Sequence, residues 1–417
     1  MIFWIYNALL FLLWPFWAPW MLWRAAKRKE KPDWKQRTGD LPIQAPAQGV
    51  RRAWLHAVSV GEVVAALPIL REVRRLDPSL EIVLSTTTTS GQQTARERAA
   101  GLFDHLVYFP IDVPRFVVAA MMRVRPKVVA VMETELWLNF LWAAKQFGAR
   151  TILLNGRVSD RSFPRSMRVR PYYRALFANL DMALVQSKTD AERYQALGFK
   201  GAEAVGSTKY DGASEDARTD RAWRDELSVP DGATLIVVGS TRSEAEEALI
   251  LDAVAELPEA WVVHAPRHIE RAGALRDAYR ARFGRGELRS SLHPSQYLVL
   301  DTYGELSGVY SAADVVVVGG GFDDLGGQNI IQPLAHGKPV IHGPHMQNFR
   351  DVAEPAVRTG ATIVAKDARE LAAALTRLAN EPETRAKMGL AAKALVEQNL
   401  GAALKCAEAV VEAARAD

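Results

Sequence analysis

The sequence predicts an α/β fold of two doubly wound domains, each built on a largely parallel sheet. Three observations support this: short β-branched runs recur along the chain, stretches of helical periodicity separate them, and a polar, turn-rich segment interrupts the alternation near the middle. Apolar runs of this length between helices are typical of parallel strands that are covered on both faces. The 417 residues, 49% of them hydrophobic, suffice for two or three domains and exclude a largely disordered chain.

The predicted strands and helices divide the chain into segments. In the first half, the predicted strands are AWLHAV, EIVLST, HLVYF, KVVAVM, RTILL and DMALV, and the predicted helices are Glu62–Arg75, Val113–Val124 and Glu135–Phe147. In the second half, the predicted strands are TLIVVG, AWVVHA, QYLVLD, DVVVVG, KPVIH and ATIVA, followed by helices over Ala368–Glu397 and Leu400–Ala414. We therefore expect Rossmann-like domains at 51–205 and 233–395 around one cleft, a linker at 206–232 and a terminal helix at 396–417. Two such domains around a cleft are typical of the glycosyltransferase-B architecture, among others.

Residues 1–23 are predicted to form a membrane anchor helix. They contain no charged side chain and hold five of the eleven tryptophans. A helix of this length extends about 34 Å, enough to cross the hydrocarbon core. Pro15, Pro19 and the tryptophans also allow a helix that lies in the membrane interface. A cleaved signal peptide is disfavoured because no basic region precedes the apolar run.

The positive charge is concentrated in two segments. Residues 24–37 carry +5, so that −1 remains on residues 38–417 of the net charge of +4. The basic juxtamembrane segment, 24–50, places the two domains in the cytoplasm and would bind anionic lipids, unless it is only a solvated charge run. Seven arginines between Arg150 and Arg174 face a single aspartate, which favours a local polyanion site over an ordinary helix surface. The charge distribution therefore does not predict a nucleic-acid surface.

Three polar motifs follow predicted strands of the first domain. They are Ser59-Val-Gly-Glu62, Glu133-Thr-Glu135 and Asn155-Gly-Arg157-Val-Ser159. Glu62 would lie in the first turn of a helix, where the helix dipole favours the ionised carboxylate that a general base requires. The second motif could supply a base or bind sugar hydroxyls, although helix capping alone would explain these glutamates. The third motif offers amide, guanidinium and hydroxyl groups for a phosphate.

Loops in the second domain predict a nucleotide site. They are Gly239-Ser240-Thr241, Pro266-Arg267-His268 and the glycine-rich stretch that ends in Gly326-Gly327-Gln328-Asn329. Small residues let a phosphate approach backbone N–H groups at the start of a helix. No metal site or cofactor is predicted. Pro266 would break the helix that could direct both His264 and His268 at one metal ion, and no Asp-x-Asp pair occurs.

Taken in this order, the motifs resemble those of Kdo transferases, the 3-deoxy-D-manno-octulosonic acid transferases of lipid A assembly. The matching stretches are His56-Ala-Val-Ser-Val-Gly-Glu62, Thr86-Thr-Thr-Thr-Ser-Gly91, Glu133-Thr-Glu-Leu-Trp137, Asn155-Gly-Arg-Val-Ser159, Gly239-Ser-Thr241, Pro266-Arg-His268 and Gly343-Pro-His345 with Asn348-Phe349. The resemblance implies an inverting, metal-independent glycosyltransferase at the cytoplasmic face of a bacterial inner membrane. Its donor would be CMP-Kdo and its acceptor a lipid A precursor, lipid IVA, in lipopolysaccharide core assembly.

The same resemblance implies a role for each motif residue. Glu62 would be the catalytic base, and the acceptor-binding residues would be Ser59, Glu133, Glu135, Asn155, Arg157 and Ser159. The nucleotide-sugar-binding residues would be Gly239, Ser240, Thr241, Arg267, His268, Gly326, Gly327, Gln328, Asn329 and Gln332. Gln332 stands where the family usually has a glutamate, which leaves the affinity for the donor open. The alternatives are a UDP-sugar-dependent glycosyltransferase or epimerase of the same architecture, and a catalytically idle, membrane-tethered nucleotide-sugar binder.

Overall fold

The structure is a computed structural model that describes residues 1–27, 30, 32–218 and 221–416. The chain divides into two compact units, Met1–Gly212 with Leu400–Asp417, and Ala213–Asn399. Within the described residues, each unit contains a seven-stranded sheet in which the paired strands run parallel. The predicted α/β class with two parallel-sheet domains is therefore confirmed.

The first unit contains β1 to β7. The strands are β1 (Arg52–His56), β2 (Glu81–Thr86), β3 (His105–Tyr108), β4 (Val128–Met132), β5 (Arg150–Gly156), β6 (Met182–Val185) and β7 (Glu203–Ala204). The helices are α1 (Ile2–Leu12), α2 (Trp14–Lys27), α3 (Trp34–Arg37), α4 (Val60–Leu76), α5 (Thr89–Arg98), α6 (Pro114–Val124), α7 (Leu138–Gln146), α8 (Phe163–Arg168), α9 (Arg170–Phe177) and α10 (Lys188–Leu197). The strand order is β3-β2-β1-β4-β5-β6-β7, so the order reverses between β1 and β4, where ligands bind in open α/β sheets.

The second unit repeats this topology. Two helices precede its sheet: α11 (Thr208–Asp216), which begins in the first unit and ends in the second, and α12 (Trp223–Glu226). Its strands are β8 (Leu235–Thr241), β9 (Trp261–Pro266), β10 (Glu287–Leu288), β11 (Tyr297–Val299), β12 (Val315–Val318), β13 (Val340–His342) and β14 (Thr362–Val364), in the order β10-β11-β9-β8-β12-β13-β14. The later helices of this unit are α13 (Glu244–Val254), α14 (Ala272–Phe283), α15 (Leu306–Val309), α16 (Ile331–Ala335), α17 (Arg350–Arg358), α18 (Ala368–Asn380) and α19 (Pro382–Glu397). The last helix, α20 (Ala402–Arg415), belongs to the first unit. The order reverses between β8 and β12, beside the predicted nucleotide loops.

Burial on both faces of the first sheet explains its uninterrupted apolar strands. Trp54 and Leu55 are neighbours on β1, and they belong to two separate buried clusters because successive side chains point to opposite faces. Cys406 and Val410 of α20 lie in the same cluster as Leu55. The C-terminal helix therefore returns to the first unit and covers one face of its sheet.

The predicted single anchor helix of residues 1–23 is not observed. The segment forms α1 and α2, which meet at Leu13 with a bend of 68°. Pro15 has no N–H to donate to the carbonyl of Phe11, so a continuous helix cannot pass this point undisturbed. No single helix among the described residues is long and apolar enough to cross a membrane; the bent pair meets that criterion only jointly, by length and composition. Arg28, Lys29 and Lys31 of the predicted basic segment lie outside the described residues.

Three other predicted boundaries differ from the structure. The helix predicted from Glu135 begins instead at Leu138, because the buried Asp112 carboxylate accepts the N–H groups of Asn139 and Phe140 and fixes the helix start there. The helix predicted over Ala368–Glu397 is divided into α18 and α19, with Pro382 at the first position of α19. The segment predicted as a linker, 206–232, contains α11 and α12.

Candidate active site

The first site lies where β1, β4 and β5, three adjacent strands, end at the same edge of the sheet. Glu62 follows β1 in the first turn of α4, and Glu133 follows β4 directly. Asn155 lies near the end of β5, with Arg157 immediately beyond the strand. The parallel register therefore brings together motifs that are far apart along the chain.

Glu62 is a half-buried carboxylate that folds back on its own loop. Its Oε2 accepts a hydrogen bond from the Val58 N–H at 2.8 Å. Burial raises the pKa of Glu62 to about 8; the Val58 hydrogen bond and Lys209 oppose the increase, whereas Glu135 and Glu133 add to it. Burial of Glu62 therefore favours its protonated form near pH 7 in the ligand-free protein, which opposes the effect expected from the first turn of a helix.

Glu133 forms the ionic centre of the site. Lys209 Nζ lies 2.8 Å from its Oε1, Asn155 Nδ2 lies 3.4 Å from the same oxygen, and Arg157 Nε lies 3.8 Å from Oε2. Glu133 has φ +49° and Asn155 has φ +53°, a left-handed conformation that residues other than glycine adopt rarely. Such backbone strain is concentrated at functional sites, where surrounding contacts hold it in place.

Lys209 is a residue of this site that the sequence did not reveal. It lies at the start of α11, in the segment predicted as a linker, and its neighbour Thr208 fixes it there. The Thr208 N–H donates to Asn155 Oδ1 at 3.2 Å, and its hydroxyl donates to the carbonyl of Ala65 at 2.8 Å. The one signal in the sequence was the position of Lys209 three residues after Gly206, just beyond the predicted first domain. A lysine near a glycine is common in linkers, so this signal does not indicate a site.

The other predicted acceptor-site residues have different surroundings. Glu135 is half-buried, burial raises its pKa, and it accepts a hydrogen bond from Trp137 Nε1 at 3.1 Å. Ser59 precedes α4 and makes no side-chain capping bond with it. Ser159 is exposed and bonds to the Ser162 hydroxyl at 2.9 Å, within its own turn. Glu135 therefore joins the electrostatic cluster around Glu62, whereas the contacts of Ser159 stay within its own turn.

In the second unit, hydrogen bonds of the buried Thr241 hold the Gly239-Ser240-Thr241 turn. Ser240 has φ +64°, which marks the tight turn at the end of β8. Thr241 is buried, and its hydroxyl contacts His264 Nε2 at 3.0 Å and Glu247 Oε1 at 3.3 Å. The side chain of Thr241, predicted to bind the nucleotide, therefore points into the unit.

Glu246 is a second residue that the sequence did not reveal. It is buried on α13, and its carboxylate accepts N–H groups from Arg242 at 2.9 Å and from Gly320 at 2.5 Å. Burial raises its pKa, and these hydrogen bonds oppose the increase. Glu246 thereby joins the turn after β8 to the glycine-rich loop after β12.

The glycine-rich loop also packs against the segment that follows β13. A Cβ atom at Gly326 would lie 2.1 Å from Asn348 Nδ2, and one at Gly327 would lie 2.4 Å from Met346 Sδ. Both glycines have positive φ angles, +88° and +78°. A larger residue at either position would strain the backbone and displace these side chains, and the loop lies against the stretch that includes His345 and Asn348.

The remaining residues predicted to bind the nucleotide sugar lie in this loop, on α16 and after β9. Gln328 bonds to the carbonyl of Gly327 at 3.0 Å, and Asn329 Oδ1 accepts the Ile331 N–H at 2.9 Å, which places the start of α16 at Ile331. Gln332 is half-buried on α16. Arg267 and His268 are exposed just after β9. Their side chains are accessible to an anionic ligand of this unit.

Gly239 should be intolerant of substitution for a structural reason. A Cβ atom at Gly239 would lie 2.0 Å from the hydroxyl oxygen of buried Tyr310. We expect Gly239→Ala to lower the free energy of unfolding by about 1–3 kcal/mol, the usual cost of overpacking. Thermal unfolding checks this, with Gly273→Ala on α14 as the control, because a Cβ atom there would have no described atom within 4 Å. An unchanged midpoint for Gly239→Ala would contradict the packing described.

Comparison with known proteins places the chain in a family. The model of the N-terminal domain of "3-Deoxy-D-manno-octulosonic-acid transferase (kdotransferase)" matches residues 32–212, and the model of "Glycosyl transferases group 1" matches residues 220–395. The 3-deoxy-D-manno-octulosonic acid transferase of Bordetella pertussis is 33% identical over 418 residues, which cover 94% of each chain. The chain belongs to the Kdo transferase family. The enzyme of the same name from Haemophilus influenzae is 28% identical, over 86% of this chain and 85% of that one.

Membership in the Kdo transferase family makes the protein a glycosyltransferase, and solved structures agree on the fold. UDP-GlcNAc 2-epimerase of Neisseria meningitidis has a TM-score of 0.60 at 12% identity, covering 87% of this chain and 99% of that one. MurG of Acinetobacter baumannii has a TM-score of 0.57 at 12% identity, with the same coverage. Both likenesses concern the fold alone. Among the described residues of this Kdo transferase family member, no three His, Cys, Asp or Glu side chains are arranged to hold a metal ion.

Proposed function

We propose that the protein transfers Kdo from CMP-Kdo to a lipid A precursor, lipid IVA, in lipopolysaccharide core assembly, with Glu62 as the general base. The observation that carries this proposal is the position of Glu62, half-buried beside the Glu133–Lys209 ion pair at the carboxyl edge of the first sheet. A carboxylate with a pKa of about 8 is a stronger base than an exposed one, and it takes up a proton readily near neutral pH.

The reaction is an inverting displacement. An acceptor hydroxyl oxygen forms a bond to the anomeric carbon of Kdo while the bond from that carbon to the phosphate oxygen of CMP breaks. The hydroxyl proton moves to the Glu62 carboxylate, and CMP leaves with the bonding electron pair. Glu62 must be ionised when the acceptor is bound, and the positive charge of Lys209, which lowers the pKa of Glu62, supports this reactive form.

The acceptor site is proposed on the first unit and the donor site on the second. Glu133 and Glu135 would bind hydroxyl groups of the acceptor, Asn155 would hold Glu133 in place, and the arginines of 150–174 would bind the phosphates of the acceptor. Ser240, the glycine-rich loop and the exposed Arg267 and His268 would bind the single phosphate of CMP. This donor site needs no metal, because backbone N–H groups and a guanidinium can stabilise one phosphate.

The two domains are proposed to act at the cytoplasmic face of the bacterial inner membrane. Support comes from the basic residues after α2 and from the apolar residues 1–23, whose partners would be anionic lipids. A lipid acceptor resides in the same membrane, so association with the bilayer brings enzyme and acceptor together.

The donor can be tested by binding. We expect calorimetric titration of the purified protein to give tighter binding of CMP than of UMP or UDP, and CMP-Kdo with lipid IVA to release CMP only when both are present. Tighter binding of UDP would favour a UDP-sugar-dependent transferase or epimerase instead. Nucleotide binding with no turnover would favour an idle binder, for which the replacement of a family glutamate by Gln332 is the motivating feature.

A further inference from the structure

The first helix is fixed to the first unit by its polar side. The Tyr6 hydroxyl donates to Asp112 Oδ2 at 3.0 Å. The side-chain amides of Asn7 and Asn139 exchange two hydrogen bonds, of 2.9 and 2.8 Å. Phe3 adds an apolar contact, with its ring centroid 4.9 Å from that of Trp142. We call these contacts the α1 staple; they attach one face of α1 to Asp112 and to α7.

The opposite side of the α1–α2 segment is apolar and exposed. Trp4 is 74% exposed, Phe11 81% and Phe16 74%, and further exposed apolar residues continue the surface. These further residues are Ile5, Leu9, Leu12, Leu13, Trp14, Trp20, Leu22 and Trp23. A contiguous apolar surface of this kind marks an interaction site, since soluble proteins rarely leave one in contact with water.

The charges that border this surface identify its partner. Arg24 lies over the ring of Trp20 and Lys27 over that of Trp23, both 5.1 Å from the ring centroid. On the neighbouring α8–α9 segment, which contacts α1 through the Tyr6 and Tyr172 rings, the exposed Met167 and Val169 lie among Arg165 and Arg168. Tryptophans with adjacent cations match the boundary between acyl chains and anionic headgroups.

The α1 staple conflicts with a spanning orientation. At 1.5 Å per residue, α1 and α2 are about 16 and 21 Å long, each short of the roughly 30 Å hydrocarbon core. The bend of 68° prevents them from acting as one straight span. If α1 crossed the bilayer, Tyr6 and Asn7 would leave the unit, and the buried Asp112 and Asn139 would lose these partners.

We infer that α1 and α2 lie in the plane of one leaflet of an anionic bilayer, held to the first unit by the α1 staple, with residue 1 on the same side of the membrane as the two units. This inference does not depend on the proposed reaction. It assigns to the apolar side of the segment a single partner, the acyl region under anionic headgroups, and it makes the first unit a monotopic domain.

Topology tests the inference directly. An epitope placed before Met1 of the full chain is expected to be digested by protease in inside-out inner-membrane vesicles and to be protected in intact spheroplasts. Detergent-solubilised protein serves as the control for cleavage. The reverse pattern, with the epitope protected in inside-out vesicles and digested in spheroplasts, would mean that the segment spans the bilayer and would overturn the inference.

A substitution on the exposed surface tests the partner without disturbing the fold. Phe11→Arg is expected to lower partitioning of the purified protein onto vesicles of phosphatidylethanolamine and phosphatidylglycerol by roughly tenfold or more. The matched control is Leu390→Arg on α19 of the second unit, because Leu390 is similarly exposed, at 71%, but lies far along the chain from this segment. Equal partitioning of wild type and Phe11→Arg, or none by the wild type, would overturn the inference.

Discussion

Replacing Glu62 by glutamine is expected to lower kcat for Kdo transfer by roughly 10²- to 10⁴-fold, the usual contribution of a general base. Glutamine keeps an oxygen that can accept the Val58 N–H, so the loop should keep its geometry while the proton acceptor is lost. The rate of CMP release at saturating CMP-Kdo and lipid IVA measures the effect. Binding of CMP, for which we propose a site on the second unit, should remain unchanged.

A control on the same helix separates catalysis from folding. Glu72 lies on α4 and pairs with Arg75 on the surface, 2.6 Å away, so Glu72→Gln should retain nearly full activity. A Glu62→Gln variant with wild-type kcat and a normal unfolding midpoint would disprove the assignment of the base.

The raised pKa of Glu62 also has consequences for pH. Because the pKa is about 8 in the folded protein and 4.5 is the ordinary value, kcat/KM should rise with pH until the carboxylate is fully ionised above pH 8. The folded state keeps a proton that the unfolded chain releases from about pH 4.5 upward. This group therefore favours folding at low pH, and its contribution is lost as pH increases through the window between the two values.

Replacing Lys209 by methionine should also lower kcat/KM strongly near neutral pH. The substitution removes the cation 2.8 Å from Glu133 Oε1 and, with it, the charge that lowers the pKa of Glu62. The rising limb of the kcat/KM profile should therefore move to higher pH. If the substitution raises the proton affinity of Glu62 about tenfold, the ionised fraction of Glu62 at pH 7 falls about tenfold as well. A pH series of CMP release with the variant measures how far the limb moves.

Two further variants make this test specific to charge. Lys209→Arg keeps the positive charge, so its pH profile should lie near that of the wild type even if its rate is reduced. Lys188→Met, at an exposed position of α10, should change neither rate nor profile. A slow Lys209→Met variant whose pH profile matches the wild type would show that Lys209 acts only through packing.

The strands and the motif positions could be predicted from the sequence because their signals are local. Apolar runs such as VVAVM of β4 are buried on both faces of the sheet. Such uninterrupted apolar runs are recognisable as buried strands from the sequence alone. The shortest strands, β7 and β10, have two residues each and carry no periodicity to detect. The order of the motifs carried the family resemblance, which comparison with the Bordetella pertussis enzyme confirmed.

The features that the sequence did not reveal depend on contacts through space. Lys209 and Glu246 act on loops from other parts of the chain, so their own neighbours in sequence give no sign of their partners. The inward direction of Thr241 depends on His264, one strand away. The raised pKa of Glu62 is caused mainly by burial, which the residues next to it in sequence do not reveal. The staple of α1 likewise requires Asp112 and Asn139 to be close in space.

Mass spectrometry of the lipid product tests Kdo transfer most directly. Purified full-length protein, CMP-Kdo and lipid IVA are to be incubated without added metal and with a chelator, and the extracted lipid analysed beside a Glu62→Gln reaction. The proposed function predicts lipid IVA that has gained one or more Kdo residues in the wild-type reaction, and nearly unmodified lipid with the variant. Unmodified lipid IVA in both reactions, from folded protein that binds CMP, would contradict it.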